Sequence, residues 1–140
     1  MKANKILLSG LAGGVTFFLL GYLIYGVLLK NYTTANFNQS AMRPMEDMIM
    51  WAMILSYLAS GLLISVVFSW TNTKGIMSGA KVGAIIGVLV SISYDLGMYS
   101  TSTMFVKTGA IFVDIIITTL LSAIGGVVVA LVMGTGKAKA

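Results

Sequence analysis

Four long apolar stretches, separated by short polar segments, run along the sequence. They lie at about 5–29, 46–70, 76–99 and 106–133. Each is long enough for a membrane-spanning helix, which needs about 20 largely apolar residues. Each is also continuous, whereas a transmembrane strand would alternate apolar and polar residues over about ten positions. The pattern predicts an all-α polytopic membrane protein, with residues 1–140 forming one compact four-helix transmembrane bundle with short loops.

Composition supports this class and narrows the chemistry. Of 140 residues, 58% are hydrophobic and 9% are charged, whereas a soluble domain carries about 25% charged residues. The sequence has no His and no Cys, which excludes disulfides, thiolate or His-rich metal sites and Ser–His or Cys–His nucleophile pairs. We therefore expect a protein that is not an enzyme and that binds no cofactor. The first stretch exceeds the about 7–15 apolar residues of a signal peptide, so we expect it to remain as the first span.

The basic residues favour one orientation in the membrane. One side of the predicted bundle carries Lys and no acid, at Lys2, Lys5, Lys74, Lys137 and Lys139. The other side carries fewer basic residues and two acids, at Lys30, Arg43, Lys107, Glu46 and Asp47. The positive-inside rule therefore predicts that both termini are cytoplasmic. Because the basic residues are not clustered, we expect no nucleic-acid partner.

Spans three and four carry matching rows of small and polar residues at every fourth position. In span three the row is Gly75, Gly79, Gly83, Gly87, Ser91 and Asp95. In span four it is Asp114, Thr118, Ser122, Gly126, Ala130 and Gly134. In an antiparallel hairpin one register aligns every position, from Asp95 with Asp114 to Gly75 with Gly134. Small residues at this interval let membrane helices approach closely, so we predict a hairpin packed as a glycine zipper.

Asp95 and Asp114 are the only acidic residues inside the predicted spans. A carboxylate in the membrane is unfavourable and by default indicates a functional site. Two facing carboxylates would repel each other, and a shared proton, a bound cation or a basic partner would relieve the repulsion. The alternatives are a buried polar network that pins the bundle, or an acid that simply reaches the outer interface. The candidate neighbours are Ser91, Thr118, Tyr94, Tyr99, Arg43 and Lys107.

The outer loop between the first two spans is the longest polar segment. Pro44 suits the first turn of a helix, and Glu46 and Asp47 suit its positive end, so we predict a helix start at Arg43–Asp47. Methionine thioethers can also bind Cu(I), and a spacing of three would bring them together on a helix. The methionines concerned are Met42, Met45 and Met48. Flexible apolar packing at the membrane interface is the alternative interpretation.

Spans one and two also have small residues suited to close packing, including a GxxxG pair at Gly10 and Gly14. A second row in span one has an interval of four and comprises Ser9, Gly13, Phe17, Gly21 and Tyr25. We assign Tyr25, with the other tyrosines near the outer ends, to the aromatic belt of the membrane interface. That assignment gives Tyr25 no functional role.

Three segments give the chain a resemblance to known proteins. They are the glycine-rich span from Lys5 to Gly26 with its Gly21–Gly26 segment, the Arg43–Asp47 helix start and the Ser93–Tyr99 stretch. With these, the chain resembles small four-span bacterial integral membrane proteins of unknown function over nearly its whole length. The resemblance implies a bacterial cytoplasmic membrane and transfers no activity. Small multidrug exporters are similar in size, but they use a Glu in the first span, where this chain has no acid.

Two functions follow as hypotheses, with the lipid bilayer as the first partner of either. The first is a structural or accessory membrane component, as a homo-oligomer or within a larger membrane complex. The alternative is a small channel or transporter that handles a proton or cation at Asp95 and Asp114. An enzyme acting on a lipid is the weakest hypothesis. Contact of the acids with Arg43 or Lys107 would favour the first hypothesis, and an unpaired carboxyl pair lining a cavity would favour the second.

Overall fold

The computed structural model describes residues 3–134, and these are almost entirely helical. Four segments are long and apolar enough to cross a membrane. The first is Ala3–Leu28, in which helix α1 (Ala3–Gly21) continues as a π-helix over Tyr22–Leu28. The other three are the helices α3 (Met50–Thr71), α4 (Ile76–Thr101) and α5 (Thr108–Gly134). A short helix α2, Lys30–Asn36, lies between the first two. The prediction of an all-α chain is confirmed for the described residues, and four of its helical segments have the length and apolar composition that a membrane span needs.

The two ends of the bundle differ in how the chain turns. At one end, which we call the termini end, Lys5 and Gly134 lie together around the loop at 72–75. At the opposite end, the loop end, lie the segments 29–49 and 102–107. Lys2, Lys137 and Lys139, on which the predicted orientation partly rests, lie outside the described residues.

The turn between α3 and α4 depends on two residues with positive φ. Helix α3 ends at Asn72, with φ 52°, and the Thr73 N–H donates a hydrogen bond to the Phe68 carbonyl. Gly75 precedes α4 with φ 87°, a backbone conformation that favours glycine. The prediction that Gly75 packs against Gly134 is wrong, since nothing lies within 4 Å of the position that its Cβ would take. Gly75 lies in the loop and therefore does not share the packing face of α4.

The second span begins later than the sequence predicts. Pro44 does precede a helical turn, but this is a single 3₁₀ turn over Met45–Asp47. Met48 is extended, with ψ 128°, and so interrupts the helix, which starts again at Met50. The Arg43–Asp47 segment is thus a structured part of the loop and not the first turn of α3.

Helices α4 and α5 pack backbone against backbone. A Cβ added to Gly83 would overlap the Ser122 carbonyl oxygen, and one added to Gly126 would overlap the Gly79 carbonyl oxygen. The further contacts in the same register are Gly79 with Ala130 and Gly87 with Ser122. Such close approach requires residues without bulky side chains. This register also places Asp95 opposite Asp114.

Helices α1 and α3 form a second close pair. A Cβ on Gly61 would overlap the Gly10 carbonyl oxygen and the Gly14 nitrogen. Toward the termini end, the buried hydroxyl groups of Ser9 and Ser65 are 2.7 Å apart and share a hydrogen bond. The polar groups of this contact therefore satisfy each other inside the apolar interface.

The two pairs join through α1 and α5, and the bundle is open on its remaining side. Gly13 faces Val129, and Gly125 faces the ring of Phe17. The helices thus follow the order α3, α1, α5, α4, with α3 and α4 at the two edges and few contacts between them. The bundle is therefore less closed than the sequence predicts, because small residues bring together the other three helix pairs and not this one.

The loop end is covered by a packed connection. The Asn38 N–H donates to the Met104 carbonyl at 2.8 Å, and the Val106 N–H donates to the Asn36 carbonyl at 3.0 Å. Beside these bonds the buried rings of Phe37 and Phe105 pack with their centroids 5.0 Å apart. The segment after α2 is thereby fixed to the loop between α4 and α5.

Candidate carboxyl site

Asp95 and Asp114 lie at matching depths on adjacent helices. Asp95 is six residues before the end of α4 at Thr101, and Asp114 is six residues after the start of α5 at Thr108. At a rise of about 1.5 Å per residue, each lies about 9 Å inside its helix from the loop end. The two carboxyl groups are close enough to interact electrostatically. The glycine contacts between α4 and α5 produce this arrangement.

The Asp95 side chain is buried and incompletely satisfied. Its relative exposure is 1%, and within the described part of the chain its Oδ2 atom has no hydrogen-bond partner. Ser91, one turn away and also buried, donates its hydroxyl to the Val88 carbonyl instead. Native proteins pair the large majority of buried polar atoms, so an unpaired carboxyl oxygen at this depth indicates a ligand or proton position.

Tyr25 supplies the hydrogen bond to the other acid. Its hydroxyl donates to Asp114 Oδ1 at 2.6 Å, and the Thr118 side chain lies beside the same hydroxyl. Tyr25 belongs to the π-helix Tyr22–Leu28, in which the Leu29 N–H donates to the Ile24 carbonyl at 2.7 Å. Segments of π-helix are rare and are frequent at functional sites. The site therefore joins α4, α5 and the π-helical end of the first span.

A cavity of about 600 Å³ extends from the carboxyl pair into the open side of the bundle. All four spans line it, and Phe37, Met42 and Met104 line it from the loop end. The residues nearest the acids are Tyr25, Ser91, Thr118 and Ser122, while α3 contributes Met53, Ser56, Tyr57, Ser60, Leu63 and Ile64. No Lys or Arg among the described residues lines this cavity.

Two of the predicted neighbours do not reach the acids. Arg43 is exposed in the loop, and within residues 3–134 neither carboxyl has a Lys or Arg partner, so the predicted pairing with Arg43 or Lys107 is wrong. Burying a guanidinium or ammonium group at this depth is unfavourable, whereas the loop leaves both in solvent. Tyr94 lines the cavity but is 59% exposed, and it donates no hydrogen bond to either acid.

The three methionines Met42, Met45 and Met48 do not lie together on one helix. Met42, Met45 and Met48 are all exposed, and Met42 and Met48 have extended backbones. Helical spacing therefore does not bring these three thioethers together. Met42 instead lines the cavity together with Met53 and Met104, which belong to two other segments.

Tyr25 is the residue beside the carboxyl pair that the sequence analysis misplaces. Its assignment to the interfacial aromatic belt is wrong, because the hydroxyl points to Asp114 inside the bundle. The sequence offers one signal, because Tyr25 continues the four-residue row of Ser9, Gly13, Phe17 and Gly21. The structure buries those four residues. A row of buried residues extended by one step indicates that the next residue also faces inward.

The chemistry available to this site is acid–base and electrostatic. Two carboxyl groups, one phenol and nearby hydroxyls can hold a proton or a cation. Among residues 3–134, no group of three or more His, Cys, Asp and Glu residues is positioned to hold a metal ion. The two acids alone would leave most of the ligand positions of a hard divalent cation unfilled.

The described residues form a helical bundle in which four helices are long and apolar enough to cross a membrane, with a carboxyl pair at the edge of a cavity on its open side. No family model, curated protein or solved structure matches the chain. The resemblance to small four-span bacterial membrane proteins therefore remains a prediction.

Proposed function

We propose that this protein is a small membrane transporter that binds and releases a proton at the Asp95–Asp114 pair. The observation that carries the proposal is the buried Asp95 Oδ2, which has no hydrogen-bond partner and belongs to a carboxyl group facing Asp114. A purely structural acid pair would be expected to have a basic partner or a full set of hydrogen bonds.

The electrostatics of the pair require a bound positive charge. Two carboxylates this close repel strongly in a low-dielectric site, and a proton shared between them removes the repulsion. Tyr25 donates to Asp114 and so stabilises its charged form. Asp95, which is more buried, is then the carboxyl that takes up and releases the proton. A monovalent cation is the alternative occupant of the same position.

The proposed orientation places this site in the outer half of a bacterial cytoplasmic membrane. Lys5 and Lys74 at the termini end favour the cytoplasm for that end. The carboxyl pair lies toward the loop end, so its cavity would exchange protons with the outer side. The α4–α5 glycine zipper would hold the two acids at a fixed separation, because close backbone packing leaves little freedom to shift.

Proton flux in proteoliposomes tests the proposal. Vesicles of phosphatidylcholine and phosphatidylglycerol with a trapped pH-sensitive dye receive a pH step, with the membrane potential clamped by potassium and valinomycin. We expect wild-type flux above protein-free vesicles, and a reduction of about tenfold or more in Asp95→Asn and Asp114→Asn. Asp47→Asn removes the same charge from an exposed loop position and should match wild type. Equal flux in all four proteins would contradict the proposal.

A structural or accessory role is the second candidate, and one contact favours it. The Tyr25–Asp114 hydrogen bond ties the first span to α5, and such a bond adds stability between membrane helices. In this case the protein would act as a homo-oligomer or as part of a larger membrane complex. The expected result is then no proton flux, lower thermal stability in both Asn variants, and a stable oligomer in native mass spectrometry.

A further inference from the structure

We propose that the cavity binds an apolar organic cation, a lipophilic amine or phosphonium ion, in exchange for the proton. The inference rests on the proposed function, because it assigns a substrate class to the same carboxyl pair. Three observations carry it: the charge of the cavity, the chemistry of its walls and its opening between α3 and α4.

The charge of the cavity selects for cations. Asp95 and Asp114 are its two ionisable acids, and none of the described residues that line it is Lys or Arg. The buried Asp95 Oδ2 has no hydrogen-bond partner among residues 3–134. An anionic ligand would face uncompensated carboxylates, whereas a monovalent cation would replace the shared proton and leave the charge of the site unchanged.

The walls of the cavity suit a large apolar cation. Aromatic rings surround the space, from Phe17, Phe37, Tyr25, Tyr57 and Tyr94. The faces of aromatic rings attract cations, most strongly where water is excluded. Three flexible thioethers, from Met42, Met53 and Met104, line the same space and can adapt to ligands of different shape. A small hydrated cation would gain little from such walls.

Size and access fit the same ligand class. The volume of about 600 Å³ lies within the range of about 300–1,000 Å³ typical of small-molecule sites. The cavity reaches Leu63 on α3 and Val90 on α4, the two helices that make few contacts with each other. An apolar cation that has partitioned into the membrane would therefore reach the site sideways, through the open side of the bundle.

Tetraphenylphosphonium is the probe that tests this inference. Binding to the purified protein in detergent is measured by equilibrium dialysis at several pH values, and proton release is measured in weakly buffered solution. We expect saturable binding, tighter at higher pH, with about one proton released per cation bound. Tetramethylammonium lacks the rings and triphenylphosphine oxide lacks the charge. Both should therefore bind at least about tenfold more weakly than tetraphenylphosphonium, a difference of about 1.4 kcal/mol or more.

Variants separate the site from general hydrophobic binding. Asp95→Asn and Asp114→Asn should weaken tetraphenylphosphonium binding by about tenfold or more, while Asp47→Asn should bind like wild type. Asp95→Glu keeps the charge and should retain binding within a few fold, which covers the case in which an Asn variant does not fold. Binding that is independent of pH, or unchanged in both Asn variants, would overturn the inference.

The outcomes also separate this inference from the proposed function. Proton flux that depends on Asp95 and Asp114, together with no tetraphenylphosphonium binding, would overturn the substrate class and leave the proton site in place. If neither acid-dependent proton flux nor tetraphenylphosphonium binding is found, the proposed function and the inference are both overturned. Binding that releases a proton, together with proton flux through the same two acids, would support both.

Discussion

Asp114 and Asp95 are chemically identical side chains in different surroundings. Asp114 is half-buried and accepts a hydrogen bond from Tyr25, whereas Asp95 is fully buried with one unpaired oxygen. Burial and hydrogen bonding thereby give the two carboxyl groups different tendencies to hold a proton, as they do in other carboxyl pairs. The tyrosine hydroxyl is the side-chain group that sets this difference.

Replacing Tyr25 with Phe tests that role at the level of one atom. The ring is kept and the hydrogen bond to Asp114 is lost, so Asp114 no longer has a donor that stabilises its charge. We expect proton flux to fall several-fold in the dye assay, and stability in detergent to fall by about 1 kcal/mol or less, the usual range for hydrogen bonds between membrane helices. Tyr22→Phe, an exposed neighbour in the same π-helix, is the control. Equal flux in both variants would assign Tyr25 a packing role only.

The sequence locates the acids well and the phenol poorly, for a physical reason. A regular α-helix keeps residues at intervals of four near one face, and both acids lie on such rows in α4 and α5. Tyr25 follows a row of the same kind, but its last step crosses into the π-helix, where the turn is wider. Aromatic residues near the end of a span also suit the membrane interface, so composition alone favours the wrong assignment.

At the scale of helices, contact along the α4–α5 rows stops short of the termini end. The glycines from Gly79 to Gly87 contact α5, whereas Gly75 and Gly134 have nothing within 4 Å of an added Cβ. An interval of four drifts by about 40° per step on a helix with about 3.6 residues per turn. Six positions span five steps, a total drift of about 200°, which exceeds the width of one contact face. The sequence register therefore does not hold along the whole row and fails at the termini end.

Adding one methyl group to the centre of this contact should separate the helices. Gly83→Ala would place its Cβ against the Ser122 carbonyl oxygen, which belongs to the backbone and cannot rotate away. We expect a loss of about 1–3 kcal/mol, the usual range for overpacking, measured by unfolding in mixed detergent with increasing dodecyl sulfate. Gly97→Ala lies on the same helix with nothing within 4 Å and should be neutral or slightly stabilising. A neutral Gly83→Ala would show that α4 and α5 are not held by this close contact.

At the scale of the whole molecule, the order of the helices could not be predicted from the sequence. All four spans carry small residues, so many pairings satisfy the pattern equally. The chain connects α3 to α4 through a four-residue loop, 72–75, yet these helices lie at opposite edges of the open side. Close pairing of α3 with α1 and of α4 with α5 decides this arrangement, and it leaves the cavity between α3 and α4.

The orientation of the whole molecule can be tested directly, because the sequence contains no Cys and single cysteines will label without background. Ala41→Cys places a thiol in the exposed loop end, and Thr73→Cys places one in the turn at the termini end. The basic residues near the termini favour the cytoplasm, so a membrane-impermeant maleimide should label Ala41→Cys in intact cells and Thr73→Cys only after permeabilisation. The reverse pattern would place the carboxyl cavity on the cytoplasmic side, and protons would then have to enter it from within the cell.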